Sequence, residues 1–220
     1  MRTLFFACLL GILSPFLLHS QSGSGWVEDK TAQEIMSKLS KKFTNVSSIS
    51  AEIKMITENK TEKTKDEKKV SVLVEGNKYR LTFGNQLVYC NGAHLWIYNK
   101  DAQEVTLSYA DTTETQQFNL PKIISDWNKN YRPKLIREEE TNAGIQQIID
   151  LTPKKRQDYH KIRLIINKNK QEITQAQFHY FDTTTQTYTF QTYKTNPKTT
   201  PEDFIFNTSA HPTVEIIDIR

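Results

Sequence analysis

The chain has 220 residues, enough for one substantial domain, and its 29 basic and 25 acidic side chains interleave to a net charge of +4, which argues against a nucleic-acid or anionic-lipid tract. Two cysteines, Cys8 and Cys90, exclude a disulfide-stapled scaffold. Stability must come from a core that the chain builds itself.

Residues 1–20 read as a secretory signal peptide: Arg2 near the start, the apolar run Leu4 to Leu18, then Ser20-Gln21 where a peptidase cuts. The run is short for a membrane span and is broken by Gly11, Ser14 and Pro15. Cys8 lies inside it, too early for a lipoprotein processing site, so the exported protein keeps Cys90 alone and no lipid anchor is expected. Residues 21–28 read as a flexible linker, and a single domain is expected over 29–220.

Thr31 and Glu34 make a capping-box pattern, and Ala32, Ile35, Met36, Leu39 and Phe43 recur at helical spacing. From Ile49 the period becomes two. Ile49, Ala51, Ile53 and Met55 alternate with polar residues, as do Val70, Val72 and Val74, then Tyr79, Leu81 and Phe83. Between the first two runs, Lys60 to Lys69 alternates acid with base and reads as a solvated hairpin tip. Gln86–Cys90 and His94–Tyr98 flank Asn91-Gly92, a strong hairpin signal, and Gln103–Tyr109 follows. The pattern then breaks at Phe118–Trp127, where Leu120, Ile123, Ile124 and Trp127 form an apolar stripe on a second helix. Strands resume at 134–137, 145–151, 161–166, 173–181, 187–193 and 214–219.

The expected fold is α+β: a single highly curved antiparallel sheet of about eleven strands with two or three helices inserted, whose concave face either packs as plain core or lines a pocket plugged by the amphipathic helices. Large apolar residues occupy both parities of these strands. Tyr89, Trp96, Tyr98, Tyr109, Phe178, Tyr180, Tyr188 and Phe190 are assigned to one face; Leu87, Leu95, Ile97, Leu107 and Phe181 are assigned to the other.

Signals for chemistry are weak. His94, His160, His179 and His211 are scattered singly, and no zinc motif, phosphate loop or nucleophile elbow is present. Cys90 near His94 lacks a third orienting group. No catalytic residue, metal or cofactor is expected.

The strand "SISAEIKMIT" (48–57), the strand-turn-strand "VLVEGNKYRLTF" (72–83), the hairpin "LVYCNGAHLWIYN" (87–99) and "QEVTL" (103–107) resemble the LolA-type periplasmic lipoprotein carriers. The ending "FNTSAHPTVEIIDIR" is similar to that family's C-terminal pattern, with Val214 and Asp218 in register. The resemblance implies an incomplete, open β-barrel with two or three helices as a lid over a hydrophobic cavity, and a periplasmic carrier, with no enzymatic activity, that binds the acyl chains of lipoproteins. It implies delivery from an inner-membrane lipoprotein-releasing ABC transporter to an outer-membrane acceptor or the membrane itself. A monomer with no nucleic-acid partner is expected. Cavity residues on this reading are Ile53, Met55, Val72, Val74, Tyr79, Leu81, Phe83, Leu95 and Ile97; the lid is Ile35, Leu39, Ile123, Ile124 and Trp127, on weakly docked helices. Where some family members place an Arg-Pro pair that ties the lid, this chain has Glu75-Gly76-Asn77, so that lock is not implied. An envelope sensor or lipid-binding domain of the same fold, and an exported hydrolase, are the alternatives.

Overall fold

The computed structural model describes residues 28–110 and 120–220. The expected signal peptide and all of the linker except Glu28 lie outside the described residues, as do Phe118 and Asn119 at the start of the expected mid-chain helix.

One twelve-stranded sheet organises the molecule, in the order β12-β6-β5-β4-β3-β2-β1-β11-β10-β9-β8-β7. Its strands are β1 (Ser48–Asn59), β2 (Thr64–Glu75), β3 (Lys78–Phe83), β4 (Gln86–Cys90), β5 (His94–Asn99), β6 (Glu104–Tyr109), β7 (Tyr131–Thr141), β8 (Gly144–Pro153), β9 (Tyr159–Asn167), β10 (Glu172–Tyr180), β11 (Thr184–Thr195) and β12 (Glu215–Asp218). All neighbours run antiparallel except β12, which lies parallel to β6. The first and last strands of this order do not pair, so the barrel stays open. Register shifts at Glu52/Ile53, Leu135/Arg137 and Ile173/Gln175 increase local twist and curl the sheet.

The polar run at 60–69 is a hairpin tip only over 60–63; from Thr64 it is strand, exposed through Lys69. Asn59 Oδ1 accepts from the N–H groups of Thr61 (2.9 Å) and Glu62 (3.0 Å), an Asx turn that starts β2 earlier than charge patterning suggests. At the β4–β5 connection Asn91 Oδ1 accepts from Ala93 and His94, and Gly92 adopts φ +92°. A Cβ there would displace only the end of the Asn77 side chain, 2.7 Å away, so it is the left-handed backbone conformation that calls for glycine.

Helix α1 (Lys30–Thr44) buries Ala32, Met36 and Leu39, the stripe its spacing defines. Its cap is Asp29, not Thr31: Asp29 Oδ1 accepts from Ala32 N at 2.9 Å and Oδ2 from Leu135 N at 2.8 Å, tying the helix to β7. The expected mid-chain helix is two short ones, α2 (Leu120–Ser125) and α3 (Trp127–Asn130), interrupted at Asp126. β7 follows α3 directly, at Tyr131.

The largest core lies between these helices and β7–β10, where Met36, Leu39, Ile124, Trp127, Ile149, Leu151, Ile162 and Leu164 pack together. A separate cluster on the convex side joins Tyr98, Val105 and Phe206, with Leu87, Tyr89, Trp96 and Val214 against it. Single 3-10 turns at Pro201–Phe204 and Thr208–Ala210 lead the C-terminal segment over this surface, and Phe206 meets Tyr98 and His211 at ring separations of 5.0 Å.

The aromatic residues assigned to one face divide between two. Tyr89, Trp96 and Tyr98 belong to the convex cluster, whereas Phe178, Tyr188 and Phe190 belong to the concave core. Leu87 pairs with Tyr98 and Leu107 with Trp96, so both share the convex face with those aromatics rather than the face of Leu95.

Candidate functional site

Strand register lines up concave-face residues in rows that cross the sheet. One row runs Ala51–Val72–Leu81–Val88–Ile97 and its neighbour Ile49–Val74–Tyr79–Cys90–Leu95. Every residue of both rows lines a cavity of about 670 Å³. Phe178, Tyr188, Phe190 and Tyr193 from β10 and β11 form another wall, and Lys42, Phe43, Leu120, Lys122 and Ser125 are its helical side. Its volume falls within the range typical of small-molecule and cofactor sites.

Of the residues expected in the cavity, Ile53, Val72, Val74, Tyr79, Leu81, Phe83, Leu95 and Ile97 line it. Met55 has the parity of Ile53 but does not reach it; it pairs with Tyr188 and packs on the main core. Trp96 and Tyr98 point the other way, beneath the C-terminal segment. The residues expected in the lid sit elsewhere. Leu39, Ile124 and Trp127 are 1%, 0% and 9% exposed within the helix–sheet core, and Ile35 and Ile123 pack against it. The stripe that defines each helix marks its buried face: Phe43 and Leu120 border the cavity, while Leu39, Ile124 and Trp127 pack in the helix–sheet core.

Sequence reasoning missed Ile49, Ala51, Val88 and Cys90 in the first wall, and Phe43 and Tyr193 opposite. Parity held the signal for Ile49 and Ala51, which alternate in phase with Ile53. Nothing local marks Val88 and Cys90, although both are buried, because the opposite parity of β4 carries the equally apolar Leu87 and Tyr89.

The wall built by β1–β5 and β11 carries no ionised side chain. Burial, with the Cys90 sulfur beside it, pushes the Tyr79 phenol up; burial does the same for Tyr188 and takes Tyr193 to about 12. Charge appears at the rim, where Lys42 Nζ donates to Lys170 O at 2.9 Å and meets Glu172 at 3.2 Å. That contact fixes the C-terminal end of α1 to the β9–β10 turn, so both ends of α1 are tied to the β7–β10 half.

Where the family arginine is replaced, the turn lies on the cavity rim: Gly76 and Asn77 line it, and Glu75 accepts from Lys78 and Thr199 at 3.0 Å. Cys90 and His94 cannot act together. Cys90 faces the cavity opposite Leu95, while His94 has the opposite parity and stacks on Tyr109 with ring centroids 5.9 Å apart. Among the described residues no group of three or more His, Cys, Asp or Glu is arranged to hold a metal ion. No described helix is long and apolar enough to cross a membrane. The arrangement suits reversible enclosure of an apolar ligand.

The fold recurs in an uncharacterized conserved protein from Thermus thermophilus, at TM-score 0.55 and 13% identity over 86% of this chain and 99% of that one. A LolA superfamily protein from Nitrosomonas europaea aligns at TM-score 0.40 and 16% identity over 80% of this chain and 97% of its own. The Mycobacterium tuberculosis lipoprotein LppX aligns at 0.49 and 12% over 78% and 99%. Among curated proteins, none matches the sequence. The family model described as outer membrane lipoprotein carrier protein LolA matches residues 76–207, more than half of the chain and most of the cavity wall, and the chain belongs to that family.

Proposed function

We propose that this protein is a soluble periplasmic carrier of lipoproteins, exported by its N-terminal segment and acting as a monomer. It takes acyl chains from an inner-membrane lipoprotein-releasing ABC transporter and delivers them to an outer-membrane acceptor or the membrane itself. Its role is carriage, with no covalent step. The observation that carries this reading is the largely apolar cavity of about 670 Å³ between the sheet and the edge of the helices.

Magnitudes fit a carrier. Burying about sixteen methylenes at ~0.8 kcal/mol each gives a gross gain of roughly 13 kcal/mol. Ordering the chain and losing its free motion offset several kcal/mol of that gain. The remainder allows capture and release, whereas full burial of two or three such chains would pass the practical ceiling near ~20 kcal/mol and forbid delivery.

Native mass spectrometry of the protein purified gently from its own envelope tests the reading. An adduct whose mass resolves on extraction into an acylated peptide is expected. Protein that emerges ligand-free and also fails to take up a synthetic acylated peptide overturns it.

A further inference from the structure

We propose that Phe178 and Tyr188 close the inner end of the cavity and set the longest acyl chain that it takes in full. This rests on the carrier reading above.

The rim lies at one end of the sheet. Gly76 and Asn77 of the β2–β3 turn and Gln171 of the β9–β10 turn line the cavity and are exposed. These turns share an end: Ser48, at the start of β1, pairs with Glu75, and Ile49 pairs with Thr195 at the end of β11, which runs antiparallel to β10.

Away from that rim the lining stops at a common level. On β1 it ends at Ile53, because Met55, next in the same parity, does not reach the cavity. On β10 Phe178 lines it and Tyr180 does not; on β11 Tyr188 lines it and Gln186 does not. Phe178 and Tyr188 are 5% and 7% exposed, whereas the rim is open to solvent.

Behind that level the space is filled and the rings are tied. Tyr180 Oη and Tyr188 Oη both donate to Gln186 Oε1, at 2.8 and 2.9 Å. Phe178 meets Tyr188 and Tyr159 edge-on at ring separations of 5.7 and 5.3 Å, and Tyr159 Oη lies 2.6 Å from Tyr131 Oη. A chain pressing past this floor would strip buried phenols of their hydrogen bonds, which costs more than another buried methylene returns. Methylenes that fit above the floor therefore add affinity, and those that do not fit add none.

The test titrates the purified protein with a synthetic cysteinyl peptide carrying one saturated acyl chain, lengthened in steps from decanoyl to docosanoyl. In the wild type, affinity is expected to climb by up to roughly fourfold per methylene until the chain meets the floor, and then to stop climbing. Tyr188→Ala removes the ring and opens the way to Met55. Its limiting length should grow by roughly two to five methylenes, at most one two-residue strand step at about 3.3 Å per residue. Ala176, which is 1% exposed, lines the cavity and pairs with Tyr188. Ala176→Leu adds bulk toward open volume, so it keeps the fold even if Tyr188→Ala does not, and it should shorten the limit. A limit that stays put in either folded variant, or a wild-type affinity that climbs without limit, overturns the floor and leaves the carrier reading standing. Binding at no chain length overturns both.

Discussion

Strands β7–β10 and strands β1–β5 turn the same concave face inward, but they fill it differently. Over β8 and β9 the residues Ile149, Leu151, Ile162 and Leu164 are fully buried against α1, α2 and α3. Over β2–β5 the equivalent positions Val72, Leu81, Val88 and Ile97 border open volume. One half of the sheet thus holds the molecule together, and the other half keeps space for a ligand. The helices need not leave their seats for that space to exist, because Asp29 and Lys42 tie α1 to the filled half. This differs from the expectation of a weakly docked lid.

Truncating a side chain in each half gives the sharpest contrast. Ile124→Ala leaves a cavity among well-packed neighbours and is expected to cost about 2–5 kcal/mol in urea denaturation. Ile97→Ala removes a side chain that is 38% exposed; its cost should stay within about 0.5 kcal/mol. Similar costs would dissolve the division of labour.

The reverse contrast appears in binding. Phe83→Glu sets a carboxylate on the cavity wall, where an apolar ligand would have to bury it. Affinity for an acylated peptide should fall by about a hundredfold or more, roughly 2.7 kcal/mol. Lys65→Glu, on the exposed hairpin where Lys65 meets Glu58 at 2.8 Å, should change it less than about twofold. Equal losses in fluorescence titration would separate the cavity from lipid binding.

The period-two runs and the stripe of α1 suffice to read an open antiparallel sheet with helices, because side-chain alternation is local. Which wall a strand contributes is not local. Placing Leu87 and Leu107 with Leu95 requires carrying parity across turns of unknown length; the pairs Leu87–Tyr98 and Trp96–Leu107 reverse that assignment. The stripe Ile123, Ile124 and Trp127 likewise shows which helical face is buried and not what buries it. The cover over Trp96 and Tyr98 is a segment more than a hundred residues away in sequence, around Phe206, which no periodicity near β5 announces.

Smaller effects probe the ties of α1. The Ala32 N–H beside Asp29 holds its carboxyl below the usual range. Asp29→Ala should cost about 1 kcal/mol, typical of a lost N-cap, and hydrogen exchange in α1 should accelerate before that in β8 and β9. Unchanged protection of α1 would show that side-chain packing alone seats it.

The smallest expected effect is a pH dependence confined to the filled half. His179 lies on β10 with Nδ1 3.4 Å from Thr185 Oγ1 and a buried Nε2 without a hydrogen-bond partner. Burial first, then Lys161, Arg163 and His160, with Asp150 opposing, lowers its pKa to about 4 from 6.5. Between those values the unfolded chain binds the proton and the folded one does not, so stability is flat above about pH 6.5 and declines as pH falls toward about 4. The lowered carboxylates Asp29, Glu75, Glu138, Asp150 and Asp218 start from 3.8 or 4.5, so they add to the decline only in its lower part. From about pH 6.5 to 5 the melting temperature of the wild type should therefore slope downward and that of His179→Gln should be flatter. Affinity for an acylated peptide should stay constant over the same range, because the apolar wall that meets the ligand carries phenols whose raised pKa values keep them neutral. If affinity falls in step with stability, the two halves of the sheet are coupled and do not divide the work between them.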